Sequence, residues 1–308
     1  MLSRRAFLGG SAVAIVGGAV APRWTRAWQQ QPPPVTPVFT DIRRNVGFFT
    51  GRGGTVGYLV DAKGVAVVDS QFRDSAALLL KGLNERSKDR PVDRLINTHH
   101  HGDHTDGNIV FKGNAKKVVA HAKAAEHMKA PPPAGTPPTT EQLYPDATFT
   151  DVWREQVGDE WIRAKYYGPA HTSGDVVVTF ERANVAHMGD LAFNQRHAII
   201  DRAAGATIRG WMGVLEKATA DHNNDTVYIF GHANTNLPVT GDRAGVLKLR
   251  DYFTALLAFV GAQIKAGKTR DEIMAMRDPL PGFETFGPFG NPGPREPRTC
   301  AYEELGGK

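Results

Sequence analysis

Cysteine is almost absent from this chain: Cys300 is the only one among 308 residues. A lone thiol cannot form an internal disulfide framework, and it excludes a metal site built from clustered thiolates. Cys300 lies in a Gly/Pro-rich segment near the C-terminus, where we expect it to have no chemical role.

The chain also has little net charge outside its N-terminus. The formal net charge is +5, and the first 27 residues contain four arginines and no acidic residue, so the remainder carries a net charge of +1. A nearly neutral protein has no basic surface to attract a nucleic acid. We therefore expect a small-molecule partner and no nucleic-acid partner, and the sequence carries no signature of a particular oligomeric state.

The apolar run near the N-terminus is short for a membrane span. It ends at about Ala21 and follows the sequence Ser-Arg-Arg-Ala-Phe-Leu at residues 3–8. Paired arginines followed by Phe and Leu resemble a bacterial twin-arginine export signal over residues 1–27, cut after Ala21 or Ala27. The resemblance implies a periplasmic or otherwise exported bacterial protein with no membrane contact after cleavage. An uncleaved anchor is the alternative.

Composition divides the rest of the chain into three parts. Residues 28–38 are Gln/Pro-rich and indicate a linker, and residues 279–308 are a Gly/Pro-rich tail that we expect to be largely irregular. The folded domain is predicted over residues 39–278, including C-terminal helices. Within it, the prolines between residues 131 and 138 exclude regular structure.

Short apolar runs in both halves of this domain predict strands, and longer periodic segments predict helices. Helices are expected from an N-cap at Asp74, over residues 208–220 and 243–266, and from a capping box that joins Thr269 to Glu272. This alternation indicates an α/β protein. The predicted strands cover residues 57–60, 64–69, 94–97, 117–120, 152–156, 161–167, 176–180, 185–188 and 227–230.

Metal-binding side chains are concentrated directly after the predicted strand 94–97. His99, His101, Asp103 and His104 follow one another in the pattern His-x-His-x-Asp-His. Imidazole and carboxylate groups at this density are typical of a two-metal centre. Other candidates adjoin further predicted strands, where rigid supports can direct side chains into a cleft. They are His171, Asp190 and His232.

Taken together, these motifs resemble those of the metallo-β-lactamase superfamily. The resemblance covers about residues 45–235 and includes His-Thr-x-Gly-Asp at 171–175, Gly-Asp at 189–190 and Gly-His at 231–232. It implies an αββα four-layer sandwich of two mixed β-sheets, with helices outside and the metals at one edge.

The resemblance also implies a role for each candidate ligand. His99, His101 and His171 would hold one metal, Asp103, His104 and His232 would hold the second, and Asp190 would bridge them. We expect two zinc ions per chain, with iron or manganese as alternatives. Asp103 would also act catalytically, by directing the nucleophile and handling its proton.

Neighbouring residues are expected to support this centre. Asp69, Thr98 and Thr172 would orient ligands or their loops. Arg196 and His197 lie where they could meet a substrate carboxylate. The remaining histidines are expected to be structural or exposed: His100, His121, His127, His187 and His222.

Three functions agree with these patterns. The first is a zinc hydrolase that cleaves a β-lactam, lactone or thioester; the others are a phosphodiesterase or nuclease, and an iron-containing redox protein of the same fold. Asp190 stands where many zinc β-lactamases have Cys or Ser, and in this it resembles glyoxalase II-type thioesterases, lactonases and phosphodiesterases. Because His101 is retained and no flavin motif or nucleic-acid-binding charge is present, we expect a hydrolase.

Overall fold

A computed structural model of the protein describes residues 34–130, 141–288 and 293–306. The predicted export signal at residues 1–27 lies outside the described residues, as do most of the predicted linker and the proline-rich segment at 131–138. The first strand begins at Val38, the last residue assigned to the linker.

The first half of the chain forms a seven-stranded mixed sheet whose spatial order follows the chain. Pairing is antiparallel from β1 to β4 and parallel from β4 to β7. The strands are β1 (Val38–Arg43), β2 (Val46–Thr50), β3 (Val56–Asp61), β4 (Gly64–Val68), β5 (Arg94–Asn97), β6 (Val118–His121) and β7 (Ala147–Phe149).

Three α-helices accompany this sheet: α1 (Arg73–Ser87), α2 (Gly102–Thr105) and α3 (Ala122–Lys129). The helix predicted near Asp74 is confirmed as α1, but its N-cap is Phe72 and not Asp74. Asp74 lies inside the first turn, where its carboxylate accepts a hydrogen bond from the Ser75 amide. Its negative charge interacts favourably with the positive end of the helix dipole.

The second half contributes further strands: β8 (Val152–Val157), β9 (Glu160–Tyr166), β10 (Val176–Phe180), β11 (Val185–His187), β12 (Phe193–Asn194), β13 (Val227–Ile229), β14 (His232–Ala233) and β15 (Thr240–Gly241). A six-stranded mixed sheet has the order β15-β13-β11-β10-β9-β8, and β12 pairs with β14 in a separate parallel ladder. In the six-stranded sheet, β11 pairs with β13 in parallel, and the other neighbouring strands pair antiparallel.

Three of the four C-terminal helices were predicted from the sequence, and the last was not. The four helices are α4 (Ile208–Ala220), α5 (Arg243–Lys265), α6 (Arg270–Ala275) and α7 (Pro297–Glu304). Residues 208–220 and 243–266 are confirmed as helical, and the capping box between Thr269 and Glu272 begins α6.

Alternation along the strands divides the core into layers, because successive side chains point to opposite faces of a sheet. On β4, Ala66 and Val68 face the second sheet, whereas Val65 and Val67 pack with α1. The outer face of the second sheet packs with α4, α5 and α7 around Trp211. This arrangement of helix, sheet, sheet and helix confirms the predicted αββα sandwich.

The expectation of an irregular C-terminal tail is wrong for residues 297–304, which form α7. Glu296 caps this helix by accepting a hydrogen bond from the Thr299 amide, and Pro297 occupies its first turn. Cys300, Ala301 and Tyr302 are buried in the core beneath the second sheet. Residues 297–304 are too short to show a clear helical periodicity, so burial against α4 and α5 stabilises this helix together with its cap.

Among the described residues, no helix combines the length and the apolar character that crossing a membrane requires.

Candidate metal centre

The candidate ligands meet at one edge of the two sheets. His99, His101, Asp103 and His104 follow β5, and the last two belong to the short helix α2. Asp190 follows β11, His232 begins β14 just after β13, and His171 lies in the loop between β9 and β10. Strand ends fix the backbone on either side of these loops, so the side chains converge on rigid supports.

One group of ligands consists of His99, His101, His171 and Asp190, whose ligand atoms lie within 4.8 Å of one another. Nδ1 of His101 lies 2.9 Å from Nε2 of His171. Oδ2 of Asp190 is 3.5 Å from His171 Nε2 and 3.9 Å from His99 Nε2.

The second group consists of Asp103, His104 and His232, which meet the same 4.8 Å limit. Nε2 of His232 lies 3.1 Å from Oδ2 of Asp103. Nε2 of His104 is 3.9 Å from that oxygen. The structure therefore brings together the residues that the resemblance assigns to each metal, with Asp190 in the first group.

Asp190 lies between the two groups. Its Oδ1 atom is 3.0 Å from His104 Nε2 and 3.4 Å from His232 Nε2, while Oδ2 faces His99 and His171. One oxygen thus faces each group. This is the arrangement that a carboxylate bridging two cations requires.

Each of four histidines in the site uses its other ring nitrogen to hold its orientation. His104 Nδ1 lies 2.8 Å from Oδ2 of Asp69, and His99 Nδ1 lies 3.0 Å from the Thr98 hydroxyl, which donates to Asp69. His171 and His101 are fixed by other partners, described below. Such contacts fix the tautomer and the ring plane of a metal-binding histidine.

Electrostatics in the site favour a cation near Asp190. Burial alone would raise the pKa of Asp190, but His232 and His104 hold it well below its usual value. Burial alone would lower the pKa of His104, but the carboxylates of Asp190, Asp103 and Asp69 raise it well above its usual value. The carboxylates therefore stabilise positive charge between these rings, and a metal ion can supply that charge.

Burial lowers the pKa of two histidines in the first group, His171 and His99. The pKa of His171 falls to about 3, first because the ring is desolvated and then because His101 is close. The pKa of His99 also lies well below its usual value, because of burial and the nearby His104. Neutral imidazoles are the form that binds metals.

Several buried atoms in the site lack a hydrogen bond of acceptable geometry within the described chain: Nε2 of His99, Nε2 of His104 and Oδ1 of Asp190. Buried polar atoms of this kind are costly unless a partner satisfies them. They all point toward the two ligand groups. The residues therefore fit metal ions, and the nitrogen and oxygen donors suit zinc, iron or manganese.

Glycines allow the backbone to approach the ligands closely. A Cβ atom on Gly231 would lie 2.1 Å from Oδ1 of Asp190, and a Cβ on Gly54 would lie 2.1 Å from the ring of His104. Any side chain at either position would displace a candidate ligand. Gly54 belongs to the loop between β2 and β3, and its amide donates to the Asp103 carbonyl at 2.9 Å.

The residues expected to orient ligands occupy different places. Asp69 and Thr98 lie directly behind His104 and His99, as described above. Thr172 instead donates its hydroxyl to Asp175 at 2.8 Å and its amide to the same carboxylate at 2.7 Å. It therefore shapes the loop that carries His171 and acts on that ligand through the backbone.

The two residues expected to meet the substrate separate in the structure. Arg196 donates to the carbonyl of Ala233, the neighbour of His232, and thus lies beside the second ligand group. His197 stacks on Tyr252 with ring centroids 5.6 Å apart and lines a different cavity of about 570 Å³. Adjacent residues in an extended segment point in opposite directions, so both could not face the same site.

Other histidines are largely structural. His187 is buried, with Nε2 3.0 Å from the Thr55 carbonyl and Nδ1 accepting from the Gly189 amide at 3.1 Å. His121 caps α3 and His222 contacts the Ala218 carbonyl. His100 and His127 pack on each other beside the site, with centroids 4.7 Å apart.

Two contacts in the site have no signal in the sequence. Oδ2 of Asp201 lies 2.8 Å from Nε2 of His101, and the Ile199 carbonyl lies 2.7 Å from Nδ1 of His171. Asp201 stands in no recognisable motif, and a carbonyl group has no sequence signal at all. Only the path of the loop after Asp190 brings them to the ligands.

Comparisons with known proteins agree with the geometry. The metallo-β-lactamase IND-1 of Chryseobacterium indologenes is 25% identical over 193 residues, which are 62% of this chain and 77% of that protein. A metallo-β-lactamase type 2 of Bacillus cereus is 23% identical over 212 residues, 68% of this chain and 77% of its own length.

Solved structures show the same fold. A metallo-β-lactamase from Pontibacter korlensis superposes with a TM-score of 0.58 at 19% identity and covers 70% of this chain and 99% of its own. A double mutant of the sec-alkyl sulfatase PisA1 superposes with a TM-score of 0.67 at 15% identity, over 87% of this chain and 50% of that one. A sequence model of the metallo-β-lactamase superfamily matches residues 50–235, more than half of the chain. The chain therefore belongs to the metallo-β-lactamase superfamily.

Proposed function

We propose that this protein is a hydrolase with a dinuclear zinc centre that cleaves a small ester-like or amide-like bond in a β-lactam, a lactone or a thioester. The observation that carries the proposal is the position of Asp190, with one carboxylate oxygen toward each ligand group. Membership of the metallo-β-lactamase superfamily and its relatives named as β-lactamases support hydrolysis.

The proposed assignment of ligands follows the two groups. One ion would be held by His99, His101 and His171, the other by Asp103, His104 and His232, and Asp190 would contact both. When bound, two such ions supply a hydroxide nucleophile near neutral pH and a Lewis acid for the attacked carbonyl oxygen.

Asp103 is the carboxylate best placed to act on water. Its side chain is 25% exposed, whereas that of Asp190 is 4% exposed. Burial alone would raise the pKa of Asp103, but His104 and His232 lower it to about 2, so the group is ionised at neutral pH. An ionised and accessible carboxylate can orient an incoming water molecule and accept its proton.

Different relatives suggest different scissile bonds. An aspartate at position 190 resembles lactonases and thioesterases, whereas the curated relatives are β-lactamases. The structural neighbour with the higher TM-score is an alkyl sulfatase, so a sulfate ester is a further substrate to test.

The decisive experiment measures initial rates of the zinc-loaded protein on a cephalosporin, an acyl lactone, an acyl thioester, a phosphodiester and an alkyl sulfate. Asp103→Ala serves as the blank. The matched control is Asp225→Ala, which replaces an exposed aspartate that belongs to neither ligand group. We expect one of the first three substrates to exceed the blank in the wild type and in Asp225→Ala. Turnover of the phosphodiester alone would replace the proposal with a phosphodiesterase. Blank-level rates on every substrate would contradict hydrolysis and direct the work to iron-loaded protein and redox chemistry.

We further propose that the protein acts on its small-molecule substrate after export to the periplasm of a bacterium. The support is the arginine pair at residues 4 and 5 with the apolar run that follows it. Replacement of both arginines by lysine should retain the protein in the cytoplasmic fraction. Unchanged fractionation would contradict this route of export.

A further inference from the structure

We infer that the C-terminal helix α7 positions the metal centre, and that Glu304 is its main positioning residue. The inference rests on the proposed metal-binding function. It concerns a part of the chain beyond residue 235, where the match to the superfamily ends. The connection runs through residues 199–209, which we call the support segment.

The support segment contacts two ligands of the same group. The carbonyl of Ile199 lies 2.7 Å from Nδ1 of His171, and the carboxylate of Asp201 lies 2.8 Å from Nε2 of His101. Both ring nitrogens point away from the candidate metal position. The position of the segment therefore determines the orientation of two of the three histidines in this group.

The C-terminal region holds the residue between these two contacts. The Ile200 amide donates to the Arg295 carbonyl at 3.1 Å, and the thiol of Cys300 lies 3.6 Å from the Ile200 carbonyl. Ile200 and Cys300 are completely buried. Both backbone groups of Ile200 are thus engaged by residues at or near α7, which restricts how far Ile199 and Asp201 can move.

Glu304 fixes the other end of the support segment. Its carboxylate accepts hydrogen bonds from the Ile208 amide at 2.7 Å, the Arg209 amide at 2.9 Å and the Thr207 hydroxyl at 3.2 Å. The Glu304 side chain is only 9% exposed.

These bonds replace an ordinary helix cap. Thr207 is the N-cap of α4, yet its side chain makes no capping bond to the helix. The Glu304 carboxylate, which belongs to α7, accepts hydrogen bonds from the first amides of α4. Its negative charge also interacts favourably with the positive end of the α4 dipole. The Thr207 amide in turn donates to the carbonyl of Ala170, next to His171. Glu304 therefore supports the loop of His171 from a second direction.

The consequence is selective. His101 and His171 belong to one ligand group, whereas His104 in the other group is held by Asp69. Loss of the Glu304 carboxylate should weaken metal binding by the first group and leave the second group unchanged. A residue that only stabilises the fold would affect both groups alike.

The test is a zinc titration of the metal-free full-length protein against a competing chromophoric chelator, which resolves two binding constants. Glu304→Ala should raise one dissociation constant by about 10-fold, the lower end of the loss expected for a residue that contacts a ligand directly, because Glu304 acts through the support segment. Glu85→Ala, at an exposed glutamate of α1, is the matched control and should change neither constant. Glu304→Gln keeps the shape and one acceptor oxygen, so it should show a smaller loss.

Two further backgrounds assign the weakened site. In a His232→Ala protein, which keeps the first group intact, Glu304→Ala should retain its full effect on zinc affinity. In a His171→Ala protein it should have no additional effect. If Glu304→Ala does not fold, Glu304→Gln carries the same comparisons.

Each outcome has a distinct meaning. A wild type that binds no zinc would overturn the proposed function and this inference together. A wild type that binds two ions, combined with Glu304 variants that bind both unchanged or weaken both equally, would overturn the inference alone.

Discussion

Nε2 of His101 lies 2.8 Å from the carboxylate of Asp201, one hundred residues later in the chain. Because Asp201 occupies Nε2, the other ring nitrogen, Nδ1, is the one available to a metal. Nδ1 faces His171, which belongs to the same ligand group. Replacement of Asp201 by Asn should therefore reduce zinc affinity by about 10-fold to 100-fold. Equilibrium dialysis with metal analysis measures this, and Asp225→Asn is the exposed control. Equal affinity in Asp201→Asn and wild type would show that His101 needs no such support.

Asp190 is expected to determine how many ions the site holds. Its two oxygens face different ligand groups, so Asp190→Ala should reduce the zinc content from about two ions to about one per chain. Metal analysis of protein dialysed against a low concentration of free zinc provides the measurement. Retention of both ions would mean that Asp190 does not bridge them.

Gly231 tests how tightly the backbone encloses this carboxylate. Because a Cβ at this position would lie 2.1 Å from Oδ1 of Asp190, Gly231→Ala should destabilise the protein by about 1–3 kcal/mol and lower its metal content. The control is Gly213→Ala within α4, where a Cβ meets nothing within 4 Å. That change should stabilise the protein by about 0.5–1 kcal/mol. Urea unfolding compares the two, and equal stabilities would contradict the close contact at Gly231.

Arg196 is predicted to bind an anionic group of the substrate. Its guanidinium donates to the carbonyl of Ala233, which is adjacent to the candidate ligand His232. Arg196→Ala should raise the KM of an anionic substrate about tenfold, the loss expected for one charge-assisted hydrogen bond. The KM of an uncharged analogue with the same scissile bond should not change. An unaltered KM for the anionic substrate would remove Arg196 from the binding site.

Metal removal should also lower thermal stability. A ligand that binds only the folded state at 100 times its dissociation constant contributes about 2.7 kcal/mol. Chelation of zinc should thus lower the melting temperature by several degrees. The Asp190→Ala protein should show a smaller shift, since it is expected to hold fewer ions. A melting temperature that is insensitive to chelator in the wild type would contradict metal binding.

The sequence predicted those parts of the protein that depend on local patterns. Apolar alternation identified the buried strands, and the periodic segments gave α4 and α5 with boundaries that differ by no more than one residue. The motif around His99 is equally local, since its ligands lie within six positions of one another. Hydrophobic spacing and ligand chemistry are properties of short segments, so they can be recognised without the fold.

Tertiary structure decided everything that joins distant segments. The contact of His101 with Asp201, the carbonyl of Ile199 behind His171 and the cap that Glu304 provides for α4 depend on the path of loops between elements. Such paths follow from the order in which sheets and helices pack, which no periodicity encodes. For the same reason His197 was expected beside the substrate, yet the structure places it in another cavity. Residue type and spacing along the chain identify the side chains that can bind metal, whereas the contacts that hold these side chains in place form only when the whole chain packs.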